Sequence, residues 1–253
     1  MKKFAFAASV AALFTCSLFA ENLSMSDKDK ELYSSDENPG DLYVDKGGQI
    51  FKKTFGGIDE FAKLLGVEKS TIPSEMASYP KYSVKAKKVI ALDQALQLAM
   101  IEKGLTPFKL TSDEMVFMSA YAFSLANDKK LSVDITEPNA KEAYEYGKKI
   151  YYTQRGERGL SCYSCHSQGV LGMRLRMQIL PNLGAPEFKS GATWPAYRMT
   201  KSELTTLQKR FQGCMQNSSQ KPLPIGSKEM VSLETYVRSM ANSQAVAIPG
   251  LKR

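Results

Sequence analysis

Five consecutive residues, Cys162-Tyr163-Ser164-Cys165-His166, form a C-x-x-C-H pattern. In this pattern each cysteine sulfur can add to one vinyl group of a haem, and the adjacent histidine becomes an axial ligand of the iron. A redox dithiol and half of a zinc site are the competing chemistries. Zinc takes four ligands, with a second cluster elsewhere in the chain. No second cysteine pair exists, and His166 is the only histidine. A redox C-x-x-C needs no following histidine and usually follows a βαβ pattern, which is absent here. The motif therefore points to one covalently bound haem c, held by Cys162 and Cys165, with His166 on the iron.

The other face of the iron needs a second ligand. A second histidine is not available, which leaves methionine or a thiolate. Met173, Met177, Met199, Met215, Met230 and Met240 all follow the motif, as does Cys214. A helix is expected over 200–215, opened by a capping box of Thr200 and Glu203. On it Leu204, Leu207, Phe211 and Cys214 fall on one stripe, which should face the interior. Arg210 sits one turn before Cys214, where its charge would favour the thiolate. A free cysteine is also commonly a small buried hydrophobe. At the level of residue types, both readings of Cys214 stand.

The elements that must position these groups read as helices. Ala143, Tyr146, Gly147, Ile150 and Tyr151 fit one face of a helix leading into the motif. After His166 comes a long loop with Gly169, Gly172, Pro181, Gly184, Pro186 and Gly191, enough chain to wrap a haem. Ser227 caps a last helix reaching about Ala241. Upstream, residues 21–47 read as an irregular lead-in. Ile58, Phe61, Leu64 and Leu65 suit a short helix ended by Gly66. Loop is expected from Ser70 to Tyr82, which carries Pro73 and Pro80. A helix from Ala91 to Lys103 closes at Gly104. Thr111 and Glu114 open another, running to about Ala126. Val133 and Ile135 lie in an extended segment before Pro138. No strong strand alternation is visible, so the fold class is mostly α.

The two halves echo each other. Ser112, Glu114, Met115, Val116, Tyr121, Ser124, Ala126 and Asn127 recur as Ser227, Glu229, Met230, Val231, Tyr236, Ser239, Ala241 and Asn242, all 115 positions later. Gly47, Ile50 and Phe51 more weakly echo Gly147, Ile150 and Tyr151. The pattern suggests two cytochrome c-like domains made by duplication, over 21–138 and 139–253. In the weaker register, Ala62-Lys63-Leu64-Leu65-Gly66 stands where a first motif would be, so the first domain lacks one.

Met1-Lys2-Lys3 and the apolar run from Phe4 to Ala20 have the form of a signal peptide, here 1–20. The run is shorter than a spanning helix needs. Export to the periplasm agrees with C-x-x-C-H, because this haem is attached outside the bacterial cytoplasm. It would remove Cys16, leaving Cys214 as an odd thiol. The formal charge of +8 would lose Lys2 and Lys3 and become +6. A modestly basic exported chain can attract anions or acidic proteins, and nucleic acid is not an expected partner.

One longer set of residues has a family look. It comprises Leu160-Ser161-Cys162-Tyr163-Ser164-Cys165-His166, Trp194-Pro195-Ala196-Tyr197-Arg198, Arg210-Phe211-Gln212-Gly213-Cys214, Gly226-Ser227, Leu233-Glu234-Thr235-Tyr236 and Pro249-Gly250-Leu251-Lys252-Arg253. This set resembles SoxA, the cytochrome subunit of the periplasmic sulfur-oxidising system. The likeness is strong over 140–253 and looser over the helices from Ala91 to Ala126. The resemblance implies two joined cytochrome c-like domains, the second with the active haem. It implies Cys214 as distal iron ligand, often a persulfide, with Arg210 at the active site. It further implies an L-cysteine S-thiosulfotransferase that joins thiosulfate to a cysteine of a SoxYZ carrier, in complex with a SoxX cytochrome. With one motif, the chain resembles the mono-haem members. Two alternatives remain at this stage. A mono-haem electron carrier would use a methionine and leave Cys214 and Arg210 incidental. A thiosulfate dehydrogenase would form tetrathionate, usually with two haem motifs.

Overall fold

A computed structural model of the chain describes residues 38–170, 173–175, 178–183 and 190–252. The expected signal peptide lies outside the described residues, with Lys2, Lys3 and Cys16; so do Gly172, Met177, Gly184 and Pro186. About half of the described chain is helical. The first half holds α1 (Asp41–Phe55), α2 (Ile58–Leu65), α3 (Ile72–Met76), β1 (Lys81–Ser83), β2 (Lys88–Ile90), α4 (Leu92–Glu102) and α5 (Asp113–Ser124). The second holds α6 (Pro138–Tyr152), α7 (Cys162–His166), β3 (Arg174–Leu175), β4 (Gln178–Ile179), β5 (Ala196–Arg198), β6 (Glu203–Thr205), α8 (Leu207–Asn217), α9 (Lys228–Ser239) and β7 (Gly250–Lys252). Among the described residues no helix is long and apolar enough to cross a membrane.

Several local expectations need correction. Helix α1 begins at Asp41, inside the stretch expected to be irregular. Its buried residues are only Gly47, Phe51, Thr54 and Phe55, while Leu42 is exposed and Tyr43, Val44 and Ile50 are partly buried. The loop expected from Ser70 to Tyr82 contains α3 and the start of β1. Helix α5 is capped by Ser112, whose hydroxyl accepts from the Met115 N–H, one residue after the expected cap. Helix α8 is capped by Thr206, not Thr200, because Glu203–Thr205 is taken up as a strand against Ala196–Arg198. Gly66, at φ 71°, ends α2 in the left-handed conformation, and Ser227 caps α9, both as expected.

Each half is built on a crossing of its first and last long helices. Helix α1 lies on α5, and α6 lies on α9. Both crossings depend on a missing side chain. A Cβ on Gly47 would run into the Phe117 carbonyl, and one on Gly147 into the Ser232 carbonyl. Around the first crossing packs a core with Phe51, Phe55, Phe61, Met76, Leu96, Met115 and Phe123. Around the second packs a smaller one with Tyr151, Trp194, Leu207, Phe211, Met215, Leu233 and Tyr236.

The hydrogen-bond pattern repeats, the later residue numbered 115 above the earlier one in each pair that follows. Lys81 pairs with Ile90 across β1 and β2, and Ala196 with Thr205 across β5 and β6. Ser132 N–H donates to the Ala77 carbonyl, and Ala247 N–H to the Ala192 carbonyl, both at 3.0 Å. The halves also grip each other reciprocally. The Asn127 amide donates to Ile248 O at 2.7 Å and accepts from Ile248 N at 2.8 Å. The Asn242 amide donates to Val133 O at 3.0 Å and accepts from Val133 N at 2.9 Å. Between them Lys130 and Ala245 form an isolated antiparallel bridge. Each asparagine thus satisfies two buried backbone groups of the opposite half. Strand β7, parallel to β5, belongs to the second half alone.

Candidate functional site

The C-x-x-C-H motif is a single short helix with a defined start. Ser161 caps α7: its hydroxyl accepts from Ser164 N at 3.2 Å, while Ser164 Oγ accepts from Ser161 N at 3.0 Å. One turn of helix brings residues three and four apart onto one face, so Cys162, Cys165 and His166 project together. Ahead of the cap, Arg155 N donates to Leu160 O at 3.0 Å and closes a turn through Gly156 and Gly159. Gly156, at φ 72°, approaches the Ser219 backbone too closely for any side chain.

His166 is oriented from outside the motif. Its Nδ1 lies 2.8 Å from the Pro181 carbonyl, to which it must donate, because a carbonyl has no proton to give. That leaves Nε2 as the nitrogen with a lone pair, in the tautomer a metal takes. Burial pushes the imidazole below its ordinary pKa; the Pro181 bond opposes this and the nearby Arg210 charge adds to it. The Pro181 carbonyl was invisible in the sequence, since only the path of a long loop brings it there.

Helix α8 supplies the other two expected residues. Thr206 starts it, accepting from Lys209 N at 3.3 Å. Leu207, Phe211 and Met215 bury one face, and Arg210 and Cys214 stand half-buried beside it. Leu204, expected on the same helical stripe, is buried from β6 instead. Cys162, Cys165 and Cys214 are all free thiols. Burial pushes Cys162 up to about 12, helped by the Cys214 charge and opposed by Arg155. Cys165 is raised by burial and again by Cys214. Cys214 therefore faces both motif cysteines electrostatically, as Arg210 faces His166. The thiols here stand for the thioether sulfurs of an attached haem, which would not titrate.

Three side-chain amides hold α8 in place. Gln220, just past its end, donates to Leu160 O at 2.7 Å, one residue before the motif's cap. Gln212 donates to Leu223 O at 2.8 Å. Gln208 is buried, donating to Glu234 at 2.7 Å and accepting from Gly226 N at 2.8 Å. Glu234 in turn holds Arg238 at 2.7 Å, and Arg238 donates to the Gly191 and Trp194 carbonyls. A four-residue spacing on one helix hinted at the Glu234–Arg238 pair, but nothing in the sequence indicated its link to Gln208.

The methionines are placed differently. Met230 is fully buried in the second core. Met215 is buried too, and its sulfur accepts from Leu223 N at 3.5 Å. Met173 and Met199 are exposed. The donor set that faces inward, two thiols on one helical turn with an oriented imidazole, suits covalent haem. Buried donors with no partner, Nε and Nη2 of Arg155, lie beside it. Among the described residues no three His, Cys, Asp or Glu side chains gather as a compact metal site would require.

Comparisons with known proteins accord with this geometry. No family model matches the chain. The chain is 29% identical over 235 residues to the L-cysteine S-thiosulfotransferase subunit SoxA of Hydrogenophilus thermoluteolus, covering 87% of this chain and 84% of that one. It is 31% identical over 204 residues to the SoxA subunit of Chlorobaculum thiosulfatiphilum, covering 81% and 68%. The fold is similar to the crystal structure of SoxXA from P. pantotrophus, with a TM-score of 0.74 and 24% identity, over 90% of this chain and 84% of that one. A 31% likeness that spans two thirds of a relative's length, on the same fold, places the chain in the SoxA family.

Proposed function

We propose that the protein is the haem-containing subunit of a periplasmic L-cysteine S-thiosulfotransferase. In this reading it oxidatively joins thiosulfate to a cysteine of a SoxYZ-type carrier, together with a SoxX-type cytochrome. The observation that carries it is that α8, bearing Arg210 and Cys214, is tied beside the motif by the Gln220 bond to Leu160 O at 2.7 Å, with Cys214 and Arg210 acting electrostatically on Cys165 and His166.

Cys162 and Cys165 would hold one haem c by thioether bonds, and His166 Nε2 and the Cys214 sulfur would be the side-chain donors to its iron. When bound, the haem supplies a one-electron acceptor beside the Cys214 sulfur. The Pro181 carbonyl keeps the His166 ring turned and its Nδ1 proton in place. Arg210 would hold two sulfonate oxygens of thiosulfate, leaving the outer sulfur free. In the overall reaction the carrier thiol loses its proton and forms an S–S bond to that outer sulfur, and two electrons leave. The second electron requires a partner cytochrome, which is why a SoxX-type protein belongs to the reading. The basic balance of the chain suits a dianionic substrate.

We further infer that the two halves, 21–138 and 139–253, are cytochrome c-like domains from a duplication, the first without haem. Support comes from hydrogen bonds that recur 115 residues apart and from the glycines at both helix crossings. The segment 1–20 is proposed as the signal peptide that takes the chain to the periplasm.

The test is a reaction of the haem-loaded protein with a SoxX-type partner, thiosulfate, a SoxYZ-type carrier and an acceptor cytochrome. Carrier-dependent reduction of the acceptor, with an S–SO3 group gained by the carrier cysteine, is expected. Tetrathionate formed without any carrier would make the chain a thiosulfate dehydrogenase. No thiosulfate dependence at all would leave only an electron carrier.

A further inference from the structure

Arg155 lies on the turn between α6 and α7, and its backbone is pinned by the bond from its N–H to Leu160 O at 3.0 Å. Its side chain turns inward. Nε and Nη2 are both shielded from solvent, and neither has a hydrogen-bond partner. Such groups are normally paired, and an unpaired pair on a permanently charged side chain is costly. The two atoms are not an arbitrary pair. Nε and Nη2 form the side-on edge of the guanidinium, with parallel N–H bonds spaced to match two oxygens of one carboxylate or sulfonate. The position is next to the motif, since Arg155 forms an isolated antiparallel bridge with Leu160, two residues before Cys162, and its charge acts on the Cys162 sulfur. Arg158, three residues on, is exposed and has no such setting.

We infer that Arg155 is an anion-binding residue of the haem site, taking one two-oxygen anion side-on at the edge beside Cys162. Two anions of that shape would be present in the working protein: a propionate carboxylate of the haem, and the sulfonate end of the sulfur substrate. The inference rests on the haem reading of Cys162–His166 given above.

The experiment uses the haem-loaded protein and three variants. Arg155→Gln removes the charge, and Arg155→Met fills the same space without polar atoms, so one of them remains informative if the other does not fold. Arg158→Gln is the control for loss of a surface charge. Haem per chain is measured by pyridine haemochrome, the midpoint potential is followed from pH 5 to 9, and sulfite and thiosulfate are titrated against the visible spectrum. Haem content near one per chain is expected throughout. If the anion is a propionate, losing Arg155 lowers the potential and makes it depend on pH near neutrality. The reduced-to-oxidised ratio at fixed potential would then drop about tenfold, or ~59 mV for one electron. If the anion is the substrate, sulfite and thiosulfate bind roughly tenfold more weakly while the potential stays put. Wild-type potential, pH profile and anion affinity in the Arg155 variants would overturn the inference. Absence of haem from the wild type would instead overturn the haem reading itself.

Discussion

Helices α4 and α8 occupy matching places in the two halves, yet α8 carries the proposed site residues Arg210 and Cys214 and α4 carries alanines there. Each starts just after the second strand of its ribbon, with Ala91 and Thr206 as the corresponding caps. Counting 115 along the chain, Ala99 stands where Cys214 is, and Ala95 where Arg210 is. Both alanines are buried in the first core, among Leu96 and Met100. The same core holds three packed aromatic rings: Phe51, Phe55 and Phe61 meet with centroids 4.9–5.0 Å apart. The second half instead brings thiols, an imidazole and a guanidinium together. The scaffold and the chemistry are therefore separable. A shared frame of helix crossings and ribbons holds either an apolar core or a site, depending on a few side chains.

That comparison can be broken most strongly at Cys214. Cys214→Ala copies the first half into the second. Turnover with thiosulfate and carrier should fall by more than the ~10–100-fold typical of losing an outer-shell partner. Haem should stay attached through Cys162 and Cys165, and the visible bands should change. An unaltered spectrum would mean that Cys214 does not touch the iron.

Arg210→Ala copies the second difference. Losing one charge-assisted contact, ~1.5–3 kcal/mol, should reduce kcat/KM roughly ten- to hundredfold. Arg210→Lys should recover only part, because lysine lacks the planar fork. Full activity in Arg210→Ala would remove the proposed anion contact.

The glycines test whether the frame is shared. Gly47→Ala and Gly147→Ala each force a Cβ against a carbonyl of the crossing helix. Each should lower stability by about 1–3 kcal/mol in urea unfolding. A loss in one half only would show that the crossings are not equivalent.

The smallest effect is expected at Asp93, whose counterpart is Gln208. Burial raises the Asp93 carboxyl to about 7, and the Glu234 charge adds to this. The Gln94 N–H and Arg238 oppose it. The folded state thus holds this proton more tightly than the unfolded one. Its stabilising share is full below about pH 4 and declines as pH rises to about 7, at less than ~1.4 kcal/mol per pH unit. Asp93→Asn makes the position neutral, like Gln208. Thermal melts from pH 4 to 8 should then show a weaker fall with rising pH, and an unchanged slope would count against Asp93 as its source.

The sequence was most legible where structure is local. Ser227 and Gly66 cap and end their helices by contacts a few residues long. The 115-residue echo includes Asn127 and Asn242, the two residues that make the crossed bonds. Thr200 misled because Thr-x-x-Glu looks like a helix start when Glu203 is free. Here Glu203 is paired with Arg198 across a ribbon. The ribbons themselves are three residues a strand, too short for alternation to appear.

By itself the sequence determined the C-x-x-C-H spacing, which one turn of helix converts into a common face for Cys162, Cys165 and His166. It also determined the helices that flank the motif and the candidacy of Arg210 and Cys214, one turn apart. Only the tertiary structure decided that Gln220, just past α8, is tied to the Leu160 carbonyl ahead of α7, that the Pro181 carbonyl turns His166, and that Gln208 holds the Gly226 N–H. Those contacts join residues 15 to 60 positions apart. Their partners are mostly backbone carbonyls and N–H groups, which every residue carries, so no residue type could announce them.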